Sequence, residues 1–148
     1  MDDPPTIGSG RARRDRLIRR FVVNDKASLS EIRHTIRDDL SRFGVSEQAA
    51  FDCVVAVTEA CTNALEFGTS NEEGPRPPLI WWEIAPHAAI FQVEDHSARR
   101  WAMASHPSKG EDLLRDRGRG FQVMKGLMDA VEVMSLATGT TVRLTKAL

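Results

Sequence analysis

Glu59 and Asn63 stand four residues apart in the segment E-A-C-T-N-A at 59–64. In a helix that spacing puts both side chains on one face. An asparagine amide oxygen can ligate Mg²⁺ beside phosphates and water. A glutamate can take a proton from a hydroxyl or a water. On spacing alone, the simpler reading is a polar pair facing solvent near a helix end.

Three further groups carry possible chemistry. Asp95 closes the run F-Q-V-E-D; a carboxylate after a strand is commonly a turn residue, but it can also accept a hydrogen bond from an exocyclic amine such as that of adenine. Arg117-Gly118-Arg119-Gly120-Phe121 places two glycines around an arginine. Glycines let a backbone approach a ligand closely. A helix starting just after them would turn free N–H groups and its positive end toward phosphate, with Arg117 or Arg119 as a charged clamp. A mobile glycine hinge explains the same residues. The pattern is neither a P-loop nor a dinucleotide fingerprint. Gly139-Thr140-Thr141 reads as a hairpin turn running into a strand, from which Thr140 could face a nucleotide.

The elements that must position these groups follow from periodicity. Residues 1–16 read as a flexible, arginine-rich arm, and 17–148 as one domain. Leu17–Val23 is an edge strand. Ser28 and Glu31 have capping-box spacing. Leu29, Ile32, Ile36, Leu40 and Phe43 then form one apolar helical stripe ended by Gly44. A second helix runs from Ser46 through Phe51 and Val54 to Phe67. Residues 69–78 are a loop by composition. LIWWEIA and AAIFQVED form a hairpin about Pro86-His87. Residues 96–117 are polar and aperiodic, the mark of a functional lid or a disordered piece. A short helix then carries Phe121, Met124, Leu127 and Met128, before a closing hairpin with Thr138-Gly139 as its turn. The expected fold is α+β: a two-layer sandwich with a mixed, mostly antiparallel sheet and helices on one face.

Composition bounds the rest. A net charge of −1 gives no field to draw the protein onto nucleic acid. No apolar run is long enough to span a bilayer, and the polar N-terminus lacks a signal-peptide core. These features predict a cytoplasmic protein with no membrane or direct nucleic-acid partner. Cys53 and Cys61, about 12 Å apart on one helix, are too distant for a disulfide. The four histidines have no paired metal spacing.

In order, these pieces resemble the ATPase fold shared by gyrase, MutL and histidine kinases. E-A-C-T-N-A resembles its N-box, V-E-D at 93–95 the start of its G1 box, R-G-R-G-F at 117–121 its G2 box, and G-T-T-V at 139–142 its last motif. The run G-R-G-F-x-V-M-x-G-L-M-D-x-V-E-V at 118–133 is most similar to the anti-sigma-factor serine kinases of bacterial partner-switching systems. The resemblance implies ATP and Mg²⁺ as cofactors. It makes Glu59 the general base and Asn63 the Mg²⁺ ligand. Asp95 would bind the adenine amine, with Thr140 in support. Arg117, Gly118, Arg119, Gly120 and Phe121 would form the lid over the phosphates. It further implies a homodimer that sequesters a sigma factor and phosphorylates a serine or threonine of an anti-anti-sigma (STAS-domain) protein. The first helix, with Glu31, Arg33 and Arg37, is a candidate partner face.

The sequence departs from the family's pattern twice. Ser97 stands where the G1 box has glycine, and Phe67 where the N-box has histidine. Both motivate an alternative: a binding module that keeps the fold and transfers no phosphate. A histidine-kinase catalytic domain working alone is a further rival, which the lack of a phosphoacceptor helix pair disfavours.

Overall fold

The computed structural model describes residues 16–67, 70–71, 74–96 and 111–148; at Phe67, 70–71, 74–75, 111–118 and Leu136 it describes the backbone alone. The chain order is β1 (Leu17–Val22), α1 (Lys26–Arg42), α2 (Glu47–Phe67), β2 (Ser70–Asn71), β3 (Gly74–Pro75), β4 (Leu79–Ala85), β5 (Ala88–Asp95), α3 (Glu111–Leu127), β6 (Ala130–Leu136) and β7 (Gly139–Ala147). The expected arm lies outside the described residues except for Arg16, which pairs with Glu83 at 2.6 Å.

Five strands form one sheet in the order β1-β4-β5-β7-β6. Every neighbouring pair is antiparallel, so the sheet is more uniform than the mixed one expected. Alternation fixes its faces. Ile80, Trp82 and Ile84 on β4, Ala89, Phe91 and Val93 on β5, and Val142 and Leu144 on β7 are buried. α2 packs onto β5 and β7, and α1 and α3 pack against α2. The second layer is therefore built around α2.

Helix boundaries follow from capping chemistry. α1 starts earlier than the Ser28–Glu31 spacing suggests, because Asp25 is its N-cap. Its carboxylate accepts from the Ser28 N–H at 2.9 Å, and the Ser28 hydroxyl accepts from the Asp25 N–H at 3.3 Å. The Ser28 N–H holds the Asp25 carboxyl below the ordinary carboxylate range. At the other end the Gly44 N–H donates to Ser41 O and the Val45 N–H to Leu40 O, with Gly44 at φ 72°. That is a Schellman stop, and it turns the chain back into α2. There the Ser46 hydroxyl accepts from the Ala49 N–H at 3.2 Å.

Leu29, Ile32, Ile36 and Leu40 are buried as the stripe predicts. Burying each such side chain favours folding by roughly 1.5–3 kcal/mol. Phe51, expected in the α2 stripe, is 51% exposed instead. The segment expected to be all loop holds a small ladder, Ser70–Asn71 with Gly74–Pro75. A two-strand ladder is all edge, so the missing N–H of Pro75 is tolerated there.

A polar network crosses the two layers. Asp39 on α1 is fully buried. It accepts from Arg19 Nε at 2.5 Å and Nη2 at 2.9 Å, and from Trp82 Nε1 at 2.9 Å. Phe21 stacks on Trp82 with centroids 5.3 Å apart. β1 is thus tied to α1 and β4 by a charge pair and a ring stack. Cys53 and Cys61 are free and fully buried. Burial pushes both thiols up to about 12, which leaves neither as a nucleophile.

Candidate functional site

α2 supplies the polar pair. Asn63 is 9% exposed and flanked by buried Ala60, Cys61 and Ala64, while Glu59 is half-buried. Their shared face meets α3. A Cβ placed on Gly120 would lie 3.1 Å from Glu59 Oε2 and 3.3 Å from Asn63 Nδ2. The bare face of Gly120 is therefore what lets α3 close on the pair.

The setting of the glycine motif differs from expectation. The lid region was read to residue 117, with a helix beginning after the glycines. Instead α3 begins at Glu111 and runs through Gly118 and Gly120 without interruption. The backbone N–H groups at 118–121 lie several residues inside this helix, where they point along its axis to preceding carbonyls. They do not form a helix N-terminus, so the expected dipole site for phosphate is absent at that position. The cause is the run Glu111-Asp-Leu-Leu-Arg-Asp-Arg117, rich in good helix formers, which extends the helix backward across the glycines. Residues 97–110 of the proposed lid, Ser97 among them, lie outside the described residues, as does the side chain of Arg117. Arg119 is exposed. Phe121 is half-buried, with Lys125 Nζ 4.7 Å from its ring centroid.

Asp95 and Thr140 form a second cluster. They are paired across β5 and β7, and both are buried. Strand alternation puts them on the helix-covered face with Phe91, Val93, Val142 and Leu144. A tie at the other end of β7 shows which end of α2 they face. Lys146 Nζ donates to Asp52 Oδ2 at 3.2 Å and to Leu127 O at 2.6 Å. From Asp52 to Asn63 the helix climbs about 16 Å. From Lys146 back to Thr140 the strand runs about 20 Å. Since α2 lies along β7, the Asn63 end of the helix sits toward the Asp95–Thr140 end of the sheet.

The donor set suits a magnesium ion shared with phosphates. A neutral amide oxygen and an adjacent carboxylate are hard oxygen ligands, and Mg²⁺ keeps its remaining positions for water and phosphate oxygens. Among the described residues no three His, Cys, Asp or Glu side chains cluster as a protein-only metal cage would require. Neither the Asp39 network nor the Lys146 tie was foreseen. Each joins residues far apart in sequence, and no short motif signals such pairs.

Comparison with known proteins agrees with this architecture. Residues 22–146 match the model of the histidine kinase-like ATPase domain. The chain is 31% identical over 130 residues to the serine-protein kinase RsbW of Bacillus pumilus, covering 79% of this chain and 76% of that protein. It is 28% identical over 123 residues to the RsbW of Bacillus subtilis strain 168, with the same coverage. Two solved structures share the fold. One contains the RsbU and RsbW domains of a Mycobacterium tuberculosis protein (TM-score 0.63, 19% identity), and the match covers 88% of this chain but 32% of that longer one. The other is the SiaB–SiaC complex from Pseudomonas aeruginosa (TM-score 0.62, 13% identity), with 94% of each chain covered. With the N-box pair, the buried Asp95 and the glycine helix arranged on an antiparallel sheet under α2, the chain belongs to the histidine kinase-like ATPase family, among the anti-sigma-factor kinases of the partner-switching type.

Proposed function

We propose that this protein binds ATP with Mg²⁺ and transfers the γ-phosphoryl group to a serine or threonine of a STAS-domain antagonist. Its other partner is a sigma factor, which it holds inactive. It works as a cytoplasmic homodimer. The observation that carries this reading is the convergence of Glu59, Asn63 and the bare face of Gly120. The names of the curated relatives, serine-protein kinases, support it.

The residues divide the work. Asp95 accepts a hydrogen bond from the adenine amine at the sheet end, supported by Thr140. Asn63 holds the metal through its amide oxygen. When bound, magnesium supplies charge neutralisation on the phosphates. Glu59 takes the proton as the substrate hydroxyl oxygen bonds to the γ-phosphorus. The bond from that phosphorus to the β–γ bridging oxygen breaks, and ADP leaves. Positioning and charge account for most of the rate, as is general for phosphoryl transfer. For the segment Arg117–Phe121 to close over the phosphates, the N-terminal half of α3 has to open.

Calorimetric titration with ATP, with and without magnesium, tests the binding step. Saturable binding that weakens without magnesium, and in Asn63→Ala, is expected. Glu59→Gln should then keep ATP affinity while phosphotransfer to the antagonist falls about 10²–10⁴-fold. Unchanged transfer in that variant would remove Glu59 from the role of base. Partner binding with no ATP binding by the unmodified protein would favour the non-catalytic module, for which Ser97 and Phe67 are the motivating departures.

A further inference from the structure

Gly139 sits at the end of the β6–β7 hairpin, where a glycine is usually explained by the turn. That explanation is incomplete. Leu136 pairs with Gly139, so the two turn residues are Ala137 and Thr138. Neither has positive φ, whereas Gly139 itself lies at φ 158°, a backbone that a side-chain residue rarely adopts. A second demand comes from another strand. A Cβ on Gly139 would overlap the carbonyl oxygen of Asp95. It would also lie 3.1 Å from the Asp95 carbonyl carbon and 3.2 Å from the His96 Cα. All three are backbone atoms, which cannot swing aside as a side-chain tip can.

We infer that Gly139 is a positioning residue for recognition of the nucleotide base: it leaves open the space through which the Asp95–His96 peptide leaves the sheet, and so sets the aim of the Asp95 carboxylate. The inference rests on the nucleotide reading given above. Asp95 and Thr140 form the last rung of the β5–β7 ladder. Beyond it the direction of β5 is no longer held by strand pairing, so the packing against Gly139 decides it. His96, the next residue, is not a glycine, so the room the peptide needs is left by Gly139 across the ladder. An alanine at 139 would push the Asp95 peptide outward and turn the carboxylate away from an exocyclic amine.

ATP and inosine triphosphate make the test, because inosine carries a carbonyl where adenosine carries the amine. The unmodified protein should prefer ATP. In Gly139→Ala, ATP affinity should fall about tenfold or more, the size of one lost bond to a charged group, while inosine triphosphate affinity should hardly change. The preference should collapse toward that of Asp95→Ala. A glycine that merely supported the fold would weaken both nucleotides equally and leave their ratio intact, and that result would overturn the inference. Should Gly139→Ala fail to fold, Gly139→Ala combined with His96→Gly gives the displaced peptide backbone conformations closed to a side-chain residue, and its preference should be lost as well. Failure of both variants to fold would also overturn it, because Gly139 would then hold the sheet rather than aim one carboxylate. If the unmodified protein binds neither nucleotide, the nucleotide reading itself falls, a result distinct from all of these.

Discussion

Gly120 of α3 lies so close to Glu59 of α2 that a single added methyl carbon would stand 3.1 Å from the glutamate Oε2. The same carbon would stand 3.3 Å from Asn63 Nδ2. Both neighbours are side-chain tips and can give by a few tenths of an ångström. Alanine is also a better helix former than glycine by about 1 kcal/mol. Gly120→Ala should therefore keep or raise thermal stability while displacing the two polar groups. Small displacements of reacting groups are costly to rate, up to about 10²-fold for 1 Å, so phosphotransfer should drop about tenfold. A melting curve and a transfer assay on one preparation separate the effects. Equal loss of stability and activity would mean that Gly120 serves packing alone.

Much of this arrangement was legible from local chemistry. The β4–β5 hairpin is bounded by Pro86-His87 as read, because alternation over LIWWEIA and AAIFQVED is unambiguous. The spacing of four placed Glu59 and Asn63 on one helix face but, taken alone, read them as facing solvent, whereas Asn63 is 9% exposed. The start of α1 was misread by about one turn, because Asp25 and Ser28 can both cap and the earlier residue wins by recruiting the later one. The α3 boundary was misread because glycines suggest a break, while five good helix formers among the seven residues before them extend the helix. Gly139 was read as a turn residue; its partner, Asp95, is distant in sequence, and only the sheet order brings them together.

The buried Asp39 gives a stability prediction. Its three accepted hydrogen bonds come from Arg19 and Trp82. In Asp39→Ala the Arg19 guanidinium can turn to water, since its side chain is 36% exposed. The Trp82 N–H cannot, because that ring is fully buried. An orphaned buried donor costs about 1–3 kcal/mol. Asp39→Ala should lose about that much in urea unfolding, and Asp39→Asn, which keeps one acceptor oxygen, should lose less. Replacing Trp82 by Phe in the Asp39→Ala background should recover part of the loss, as it removes the orphan. Additive losses would show that the N–H bond contributes little.

The two thiols set an alkaline limit. Burial holds Cys53 and Cys61 at about 12 in the folded chain, against an ordinary value of 9.0. A raised pKa means that the folded state retains protons that the unfolded state releases. The contribution is therefore complete below pH 9 and is lost as pH climbs from 9 toward 12. Unfolding free energy should fall across that window, and a Cys53→Ala, Cys61→Ala double variant should show a flatter decline. At pH 8 a thiol reagent should label neither cysteine until the protein is unfolded. Rapid labelling of the native protein would contradict the burial.

The glycine segment of α3 faces a choice that nucleotide binding must resolve. Inside a helix, the N–H groups at 118–121 point to the carbonyls one turn back. An N–H that closes a helical bond is not free for a phosphate oxygen. If this segment contacts phosphate through its backbone, α3 must unwind from Glu111 at least as far as Gly120, and the helix would begin where the sequence alone placed it. The Lys146 bond to Leu127 O holds the far end fixed. Hydrogen exchange with and without ATP and magnesium should show altered protection at 115–124, while Lys125–Leu127 stay protected in both states. Protection unchanged across all of α3, in the presence of saturating nucleotide, would mean that the phosphates are held by side chains and the helix stays intact.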